Sequence, residues 1–149
     1  MSRVVLSRRE WGRTMNISDS AQSLLNSKER VVERFYERFF TLHSDLRRHF
    51  ESRDIKMQAS IVTMALVSVE AYYTHRFPAT EHYLRVLGHR HFHNGIRPED
   101  FSKFRDVLLE TLEEFHGEAW HRELHRQWHD AIDLAVSVML EGYERSYTF

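Results

Sequence analysis

The chain has 149 residues, no cysteine, and 21 basic against 22 acidic residues. This length suits one domain, and the lack of cysteine excludes disulfides, iron–sulfur clusters and cysteine nucleophiles. The balanced charge argues against nucleic acid as a partner, and no apolar run is long enough to cross a membrane. Because the N-terminal apolar segment is too short for a signal peptide, we expect a cytoplasmic protein.

Helical periodicity runs along the whole chain, and no segment alternates for long enough to predict a strand. In residues 28–42 the apolar side chains recur at intervals of three and four, which is the pattern of an amphipathic helix. Ser7 and Glu10 match a capping box at the start of the first helix. The sequence therefore predicts an all-α fold with helices near 8–25, 28–42, 44–50, 54–73, 80–94, 98–116 and 118–143.

One histidine is predicted at the end of a helix. Tyr83, Leu87 and His91 recur every four residues, so they share one face of the helix near 80–94. Gly95 favours the left-handed conformation in which many helices end, and Pro98 suits the first turn of the next helix. His91 is therefore either an ordinary core or surface histidine or a ligand on the last turn of a helix.

Several ordered motifs resemble one protein family. They are FYERFF at 35–40, Phe50, DIKMQASIVTMAL at 54–66, LGHRHFHNGIRPEDF at 87–101, and the segment from Trp128 to Met139. Together they resemble the bacterial globins of the flavohaemoglobin and single-domain haemoglobin group. The resemblance implies a globin fold, a three-over-three helical sandwich, in residues 17–149. Residues 1–16 are then an N-terminal extension or the start of the first helix.

The resemblance also implies a cofactor, haem b (iron protoporphyrin IX), and residues that contact it. It implies that His91 is the proximal iron ligand and that Tyr36 and Gln58 form the distal pair. A buried phenol or amide N–H at these distal positions can stabilise partial negative charge on a diatomic ligand. The other haem contacts that the resemblance implies are Phe50, Val62, Leu87, Arg90, Ile96 and Phe101.

Each of these residues also has an ordinary interpretation. Tyr36 can be a core tyrosine bonded to a backbone carbonyl, and Gln58 an exposed helix residue. The apolar positions can be plain core, which is the usual meaning of apolar residues at helical spacing. Arg90 can reach a haem propionate or lie on the surface. The motifs in combination favour the haem interpretation.

Phe101 departs from the pattern of the family. It stands ten residues after His91, where members with strong oxygen-activating chemistry carry a tyrosine that works with a late glutamate. Phenylalanine cannot relay a hydrogen bond, and Glu141 is not at the spacing expected for that glutamate. We therefore expect His91 to bond to a backbone carbonyl or water, which leaves the iron more like that of an oxygen carrier.

The resemblance leaves three functions to distinguish. The first is a haem-binding globin that reversibly binds dioxygen, nitric oxide and carbon monoxide, with nitric oxide dioxygenation as a further activity. Because the chain has no glycine-rich phosphate loop, that activity is expected to need an external reductase. The second is a haem-based gas or redox sensor that acts through a partner or dimer contact. The third is a globin module without haem.

Two groups of histidines remain. His89 and His93 are four residues apart, as are His121, His125 and His129. This spacing can hold zinc, nickel or copper on one side of a helix. The alternative is a solvated helix face, which we favour because no carboxylate completes either group. The second group can also border a homodimer contact through the last two helices.

Overall fold

The structure is a computed structural model that describes residues 14–27, 30–50 and 54–144. The α-helices are α1 (Ile17–Leu25), α2 (Arg30–Leu42), α3 (Ile55–His75), α4 (Pro78–His93), α5 (Asp100–His116) and α6 (Arg122–Glu141). Short 3₁₀ helices span Ser44–Phe50, Gly117–Ala119 and Gly142–Glu144. No strand is present in the described ranges, so the predicted all-α class is confirmed.

The helices form two layers of three. In one layer α1 packs on α3 and α3 on α4, and in the other α2 packs on α5 and α5 on α6. The layers meet mainly where α4 and α3 contact α6 and where α2 contacts α3. This arrangement is the predicted three-over-three sandwich. Its core is aromatic and aliphatic, with Phe35, Phe39, Leu112 and Trp128 almost fully buried.

The first described helix begins later than the predicted range of 8–25. Residues 14–16 are not helical, and α1 starts at Ile17. Asn16 accepts a hydrogen bond of 2.9 Å from the Asp19 amide, and Asp19 accepts one of 3.0 Å from the Asn16 amide. This reciprocal capping box satisfies two free amides and defines the start of α1. The capping box predicted at Ser7 lies outside the described residues.

The predicted helix near 118–143 is divided. A 3₁₀ turn at Gly117–Ala119 precedes it, and α6 begins after His121. The Nδ1 of His121 accepts a hydrogen bond of 3.2 Å from the Leu124 amide, while its Nε2 donates one of 2.8 Å to the Met15 carbonyl. His121 therefore caps α6, because its imidazole supplies the acceptor that the first free amides require.

The segment around α4 is positioned by a proline and a glycine. The helix begins at Pro78, two residues before the predicted start, because the fixed φ of proline suits the first helical position. Where α4 crosses α6, Gly88 packs directly on the backbone of Met139: a Cβ at position 88 would lie 1.9 Å from the Met139 carbonyl oxygen. None of the described helices is long and apolar enough to cross a membrane.

A buried polar chain joins three helices far from the end of α4. The indole N–H of Trp128 donates a hydrogen bond of 2.9 Å to the Ser20 hydroxyl oxygen. That hydroxyl lies 2.6 Å from Nε2 of His116, within hydrogen-bond distance. The chain satisfies the polar atoms that α1, α5 and α6 bury together, so it belongs to the scaffold.

Candidate functional site

The candidate site is built around the last turn of α4. His91 lies one turn after Leu87, and its Nδ1 is 2.7 Å from the Leu87 carbonyl oxygen. Because a carbonyl can only accept, Nδ1 carries the proton and the lone pair is at Nε2. After the helix ends at His93, Gly95 adopts φ +83°, as its position predicted, and the Ile96 amide donates to the His91 carbonyl over 3.0 Å.

Beside His91 the fold leaves a cavity of about 630 Å³. This volume is in the range of pockets that hold small ligands and cofactors. Its walls are formed by Tyr36, His49, Phe50, Gln58, Ile61, Val62, Leu87, His89, Arg90, His91, His93, Asn94, Ile96 and Phe104. Eight of the nine residues that the sequence assigned to haem and its ligand are therefore brought together at one cavity.

Phe101 is the ninth residue, and it contacts His91 instead of lining the cavity. Its ring is buried with its centroid 5.9 Å from that of the imidazole. On its other side, Phe101 packs against Tyr143, with ring centroids 6.2 Å apart. Phe101 thus supports the imidazole by apolar packing. Its ring offers no hydrogen-bonding atom to the histidine.

Tyr36 and Gln58 approach the cavity from different helices. Tyr36 on α2 is 2% exposed, and its ring packs against those of Phe40 and Phe50, each with a centroid separation of 5.4 Å. Gln58 lies in the first turn of α3, four residues before Val62 on the same face. The two polar side chains therefore border the cavity together with the apolar groups of Phe50 and Val62.

The described wall of the cavity contains no acidic group. Among the described residues that line it there is no aspartate or glutamate, whereas one arginine and four histidines are present. Arg90 is an exposed member of this set. A wall of this composition complements a flat apolar molecule that carries carboxylates, as the haem macrocycle with its two propionates does.

His49 is a cavity residue that the sequence analysis missed. Its Nε2 is buried and has no hydrogen-bond partner among the described residues. A buried polar atom of this kind is costly unless another group satisfies it. The orphan nitrogen therefore fits a cavity that receives a molecule with polar substituents, and haem is such a molecule.

A signal for His49 was present in the sequence. Residues three apart eclipse one another in a 3₁₀ helix, and Leu46 in the helix Ser44–Phe50 is buried. His49 follows Leu46 by three residues, so it shares that inward direction. Gly95 lies against the same imidazole, since a Cβ at position 95 would be 3.3 Å from Cε1 of His49.

The late part of the chain contributes to the wall behind His91. The Tyr143 hydroxyl donates a hydrogen bond of 2.8 Å to the Ile96 carbonyl, and burial raises the pKa of this phenol to about 12. Glu141 forms an ion pair of 2.8 Å with Arg85. Tyr143 therefore holds the segment after α4 in place, and it is a second residue that the sequence analysis missed.

Asp100 stabilises the same segment from the start of α5. Its side chain is fully buried, and it accepts a hydrogen bond of 3.0 Å from the Arg97 amide. Burial raises the pKa of Asp100, but the bonds from the Arg97 amide and guanidinium and from Lys103 outweigh it and hold that pKa below its ordinary value. The carboxylate thereby fixes the turn that connects α4 to α5.

Comparison with known proteins gives one family match and two relatives of note. A globin family profile matches residues 33–139. The chain is 37% identical over 59 residues to the anaerobic nitrite reductase HBII of Casuarina glauca, which covers 39% of this chain and 37% of the relative. It is 26% identical over 124 residues to the flavohemoprotein of Rhizobium meliloti (strain 1021), which covers 78% of this chain and 30% of the relative.

The matched segments span about a third of the length of these two relatives. The family match is broader with respect to this protein, since residues 33–139 make up more than half of its 149 residues. Together with the two-layered helical fold, this match shows that the chain belongs to the globin family, whose members bind haem and, through it, gas ligands.

Proposed function

We propose that this globin binds haem b through His91 and reversibly binds dioxygen, nitric oxide and carbon monoxide. The observation that supports the proposal is the meeting of His91, Tyr36 and Gln58 at a single cavity. Haem supplies an iron atom at which such diatomic molecules bind. The side chains of this chain determine how that iron is held and how its ligand is retained.

On the proximal side, His91 is prepared to bind a metal. Its Nδ1–H donates to a backbone carbonyl, so Nε2 presents a lone pair without first losing a proton. A carbonyl acceptor is neutral and makes the imidazole less electron-rich than a carboxylate acceptor does. The apolar ring of Phe101 behind the imidazole does not add to that effect. This environment supports reversible ligand binding more than oxygen activation.

On the distal side, the pocket has two hydrogen-bond donors and two apolar groups. The Tyr36 phenol and the Gln58 amide can donate hydrogen bonds to a ligand with partial negative charge, and such bonds are strong where water is excluded. Phe50 and Val62 also line the cavity and add apolar surface beside these donors. Such donors lengthen the retention of dioxygen more than that of carbon monoxide, which accepts hydrogen bonds weakly.

Haem b is also matched by the charges of the pocket. Its two propionates are carboxylates, and the guanidinium of Arg90 and the buried Nε2 of His49 can receive them. We include both residues among the haem contacts. The remaining contacts are Phe50, Val62, Leu87 and Ile96, with Phe101 acting through His91.

A second candidate activity is conversion of nitric oxide and dioxygen to nitrate. One electron balances this reaction, NO + O₂ + e⁻ giving NO₃⁻, and an external reductase would supply it. The match to a protein named flavohemoprotein supports a reductase partner. The match to a protein named anaerobic nitrite reductase makes nitrite a further substrate to test. The lack of cysteine suits the reducing cytoplasm in which we place the protein.

The proposal is tested by dioxygen release from the haem-loaded protein, measured by stopped-flow spectroscopy. A hydrogen bond to a charged group contributes about 1.5–3 kcal/mol, so Tyr36→Phe or Gln58→Leu should speed release by about 10- to 100-fold. Tyr83→Phe is the control, because Tyr83 is 38% exposed on α4. Unchanged release in both distal variants would contradict the proposed roles.

The same samples separate the second activity from the alternatives. Rapid nitrate formation when nitric oxide is added to the dioxygen-loaded protein would support the dioxygenase, and its absence would remove that activity. A change of oligomeric state on ligand binding, measured by sedimentation, would instead favour a sensor. The sensor alternative includes a homodimer formed through α5 and α6. Within one chain, these two helices are joined by an ion pair of 3.0 Å between Arg105 and Asp133.

A further inference from the structure

His89 and His93 converge at the end of α4. Their Nε2 atoms are 3.1 Å apart, and the rings meet edge to face with centroids 4.4 Å apart. Residues two positions apart are separated by roughly 200° around a helix, so the pair and His91 project on different sides of α4. Both residues also border the cavity, but the contact between their rings is separate from the imidazole of His91.

A backbone carbonyl orients the first ring of the pair. Nδ1 of His89 lies 3.3 Å from the Gly142 carbonyl oxygen and donates to it, because a carbonyl can only accept. The lone pair of His89 is therefore at Nε2, and the Nε2–H of His93 donates to it. The close approach of α4 to residue 142 requires glycine at that position, because a Cβ there would lie 2.9 Å from the His89 amide nitrogen.

The arrangement of His89 matches that of metal-binding histidines in general. Such a histidine presents one ring nitrogen to the metal and donates the other N–H to a carbonyl or carboxylate, which fixes the tautomer and the ring orientation. In His89 the carbonyl of Gly142 supplies that partner. The nitrogen that faces His93 is thus already in the form that binds a cation.

We propose that His89 and His93 bind one transition-metal ion of the Zn²⁺, Ni²⁺ or Cu²⁺ class. Imidazole is a preferred ligand for these ions. With metal–nitrogen bonds of about 2.0–2.1 Å, nitrogens 3.1 Å apart subtend about 100° at the ion, between the octahedral and tetrahedral angles. A shift of the His93 proton from Nε2 to Nδ1, with a rotation of this exposed ring, supplies the second lone pair and releases no proton.

The rest of the coordination sphere is expected to be water. No group of three histidine, cysteine, aspartate or glutamate side chains converges anywhere in the ranges that the structure describes. The site therefore has two protein ligands and should bind more weakly than a closed structural zinc site. The carbonyl end of the α4 dipole favours a cation there, whereas the charge of neighbouring Arg90 opposes it.

The histidines of α6 have the same spacing but a different geometry. His121 is engaged as the cap of α6. The rings of His125 and His129 are stacked with centroids 6.5 Å apart, and Nδ1 of His129 lies 3.6 Å from both Asp130 and Asp133. Spacing alone therefore does not make the site. Substitution of both His125 and His129 is therefore the control, because it also removes two histidines four residues apart from a helix.

The test is a calorimetric titration of tag-free protein with Ni²⁺. Wild type and the double variant His125→Ala/His129→Ala should each bind one ion per chain saturably. His89→Ala and His93→Ala should each lose this binding step. Because His93 is exposed, its truncation should leave the fold intact, which the circular dichroism spectrum checks. His91→Ala should keep the ion, which separates this site from the candidate haem ligand.

Three results would overturn the proposal. The first is the absence of saturable Ni²⁺ binding to wild type. The second is persistence of this binding in a His93→Ala variant with a native circular dichroism spectrum. The third is loss of the binding in the double variant His125→Ala/His129→Ala. The test does not depend on haem uptake, because the titration is made on the protein as purified and reads the heat of Ni²⁺ binding alone.

Discussion

The imidazole of His91 donates a hydrogen bond of 2.7 Å to the carbonyl oxygen of Leu87, one turn earlier on the same helix. The sequence predicted a backbone carbonyl or water at this nitrogen, because Phe101 replaces a tyrosine, and the carbonyl is confirmed. The bond places a proton on Nδ1, so in the neutral imidazole the lone pair is at Nε2. In the proposed haem complex, a carbonyl acceptor at Nδ1 favours an iron that binds ligands reversibly over one that cleaves the bond between two oxygens.

His49→Leu should have opposite effects on the haem-free and haem-loaded protein. Removing a buried nitrogen that lacks a partner should stabilise the haem-free protein by about 1 kcal/mol or more. Losing a hydrogen bond of about 1 kcal/mol to haem should speed haem transfer to an acceptor protein about fivefold. Urea unfolding and transfer kinetics measure the two effects.

The exposed residue His75 provides the control for this variant. His75→Leu should change neither quantity by a comparable amount. A less stable haem-free protein together with unchanged haem loss would show that His49 serves only the packing of the chain.

Gly88→Ala should destabilise the protein severely. The added methyl group would lie 1.9 Å from the Met139 carbonyl oxygen, so α4 must move away from α6. We expect a loss of about 3 kcal/mol or more in the free energy of unfolding, measured with urea. The displacement would also loosen His91, three residues later, and haem should be lost faster from any folded protein.

Gly117→Ala is the comparison for Gly88→Ala. Gly117 has φ +56° and ψ −123°, and a Cβ added at this position would meet no atom within 4 Å, so the expected cost is backbone strain alone, about 1–3 kcal/mol. A smaller loss of stability for Gly88→Ala than for Gly117→Ala would contradict the close contact assigned between α4 and α6.

Asp100→Asn should lower stability at neutral pH by about 1.5–3 kcal/mol, because the buried carboxylate accepts bonds from Arg97 and Lys103. The pKa of Asp100 is held below its ordinary value in the folded protein. Its contribution is therefore complete above about pH 4 and declines as the pH falls from there through the lower folded pKa.

Urea unfolding of wild type and Asp100→Asn at several pH values measures this dependence. The gap in stability should be constant near neutral pH and should shrink below about pH 4. Asp106→Asn on the same helix is the control, because the Asp106 side chain is 64% exposed and should contribute little. A gap that widens on acidification would contradict the assigned direction.

Helical periodicity predicted the fold because α2, α5 and α6 each have a clear apolar face that is buried in the core. The boundaries shifted where distant residues decide them. His121 caps α6 through Nδ1, and its Nε2 donates to the Met15 carbonyl. Because His121 and Met15 are far apart in the sequence, no local pattern predicts this contact. The start of α1, by contrast, is set by neighbouring residues. Its N-cap, Asn16, forms a capping box with Asp19 that could have been predicted from the sequence.

The candidate site likewise contains residues that the sequence could predict and residues that it could not. The residues at one cavity could be named because the resemblance to a family supplied their order along the chain. Tyr143 was missed because its role depends on the segment after α4, where it bonds to the Ile96 carbonyl. His49 could have been found from its spacing of three residues from the buried Leu46. The spacing of four placed His89 and His93 on one side of a helix, but it could not indicate that the Gly142 carbonyl orients the ring of His89.

The most direct test of the account is the absorption spectrum of the haem-loaded protein in ferric, dithionite-reduced and carbon monoxide-bound forms. Wild type and the exposed control His125→Ala should give a five-coordinate ferrous spectrum that shifts with carbon monoxide, and His91→Ala should lose it. Failure of wild type to take up haem, or identical spectra with and without His91, would contradict the assignment of His91 as the ligand of a haem-binding globin.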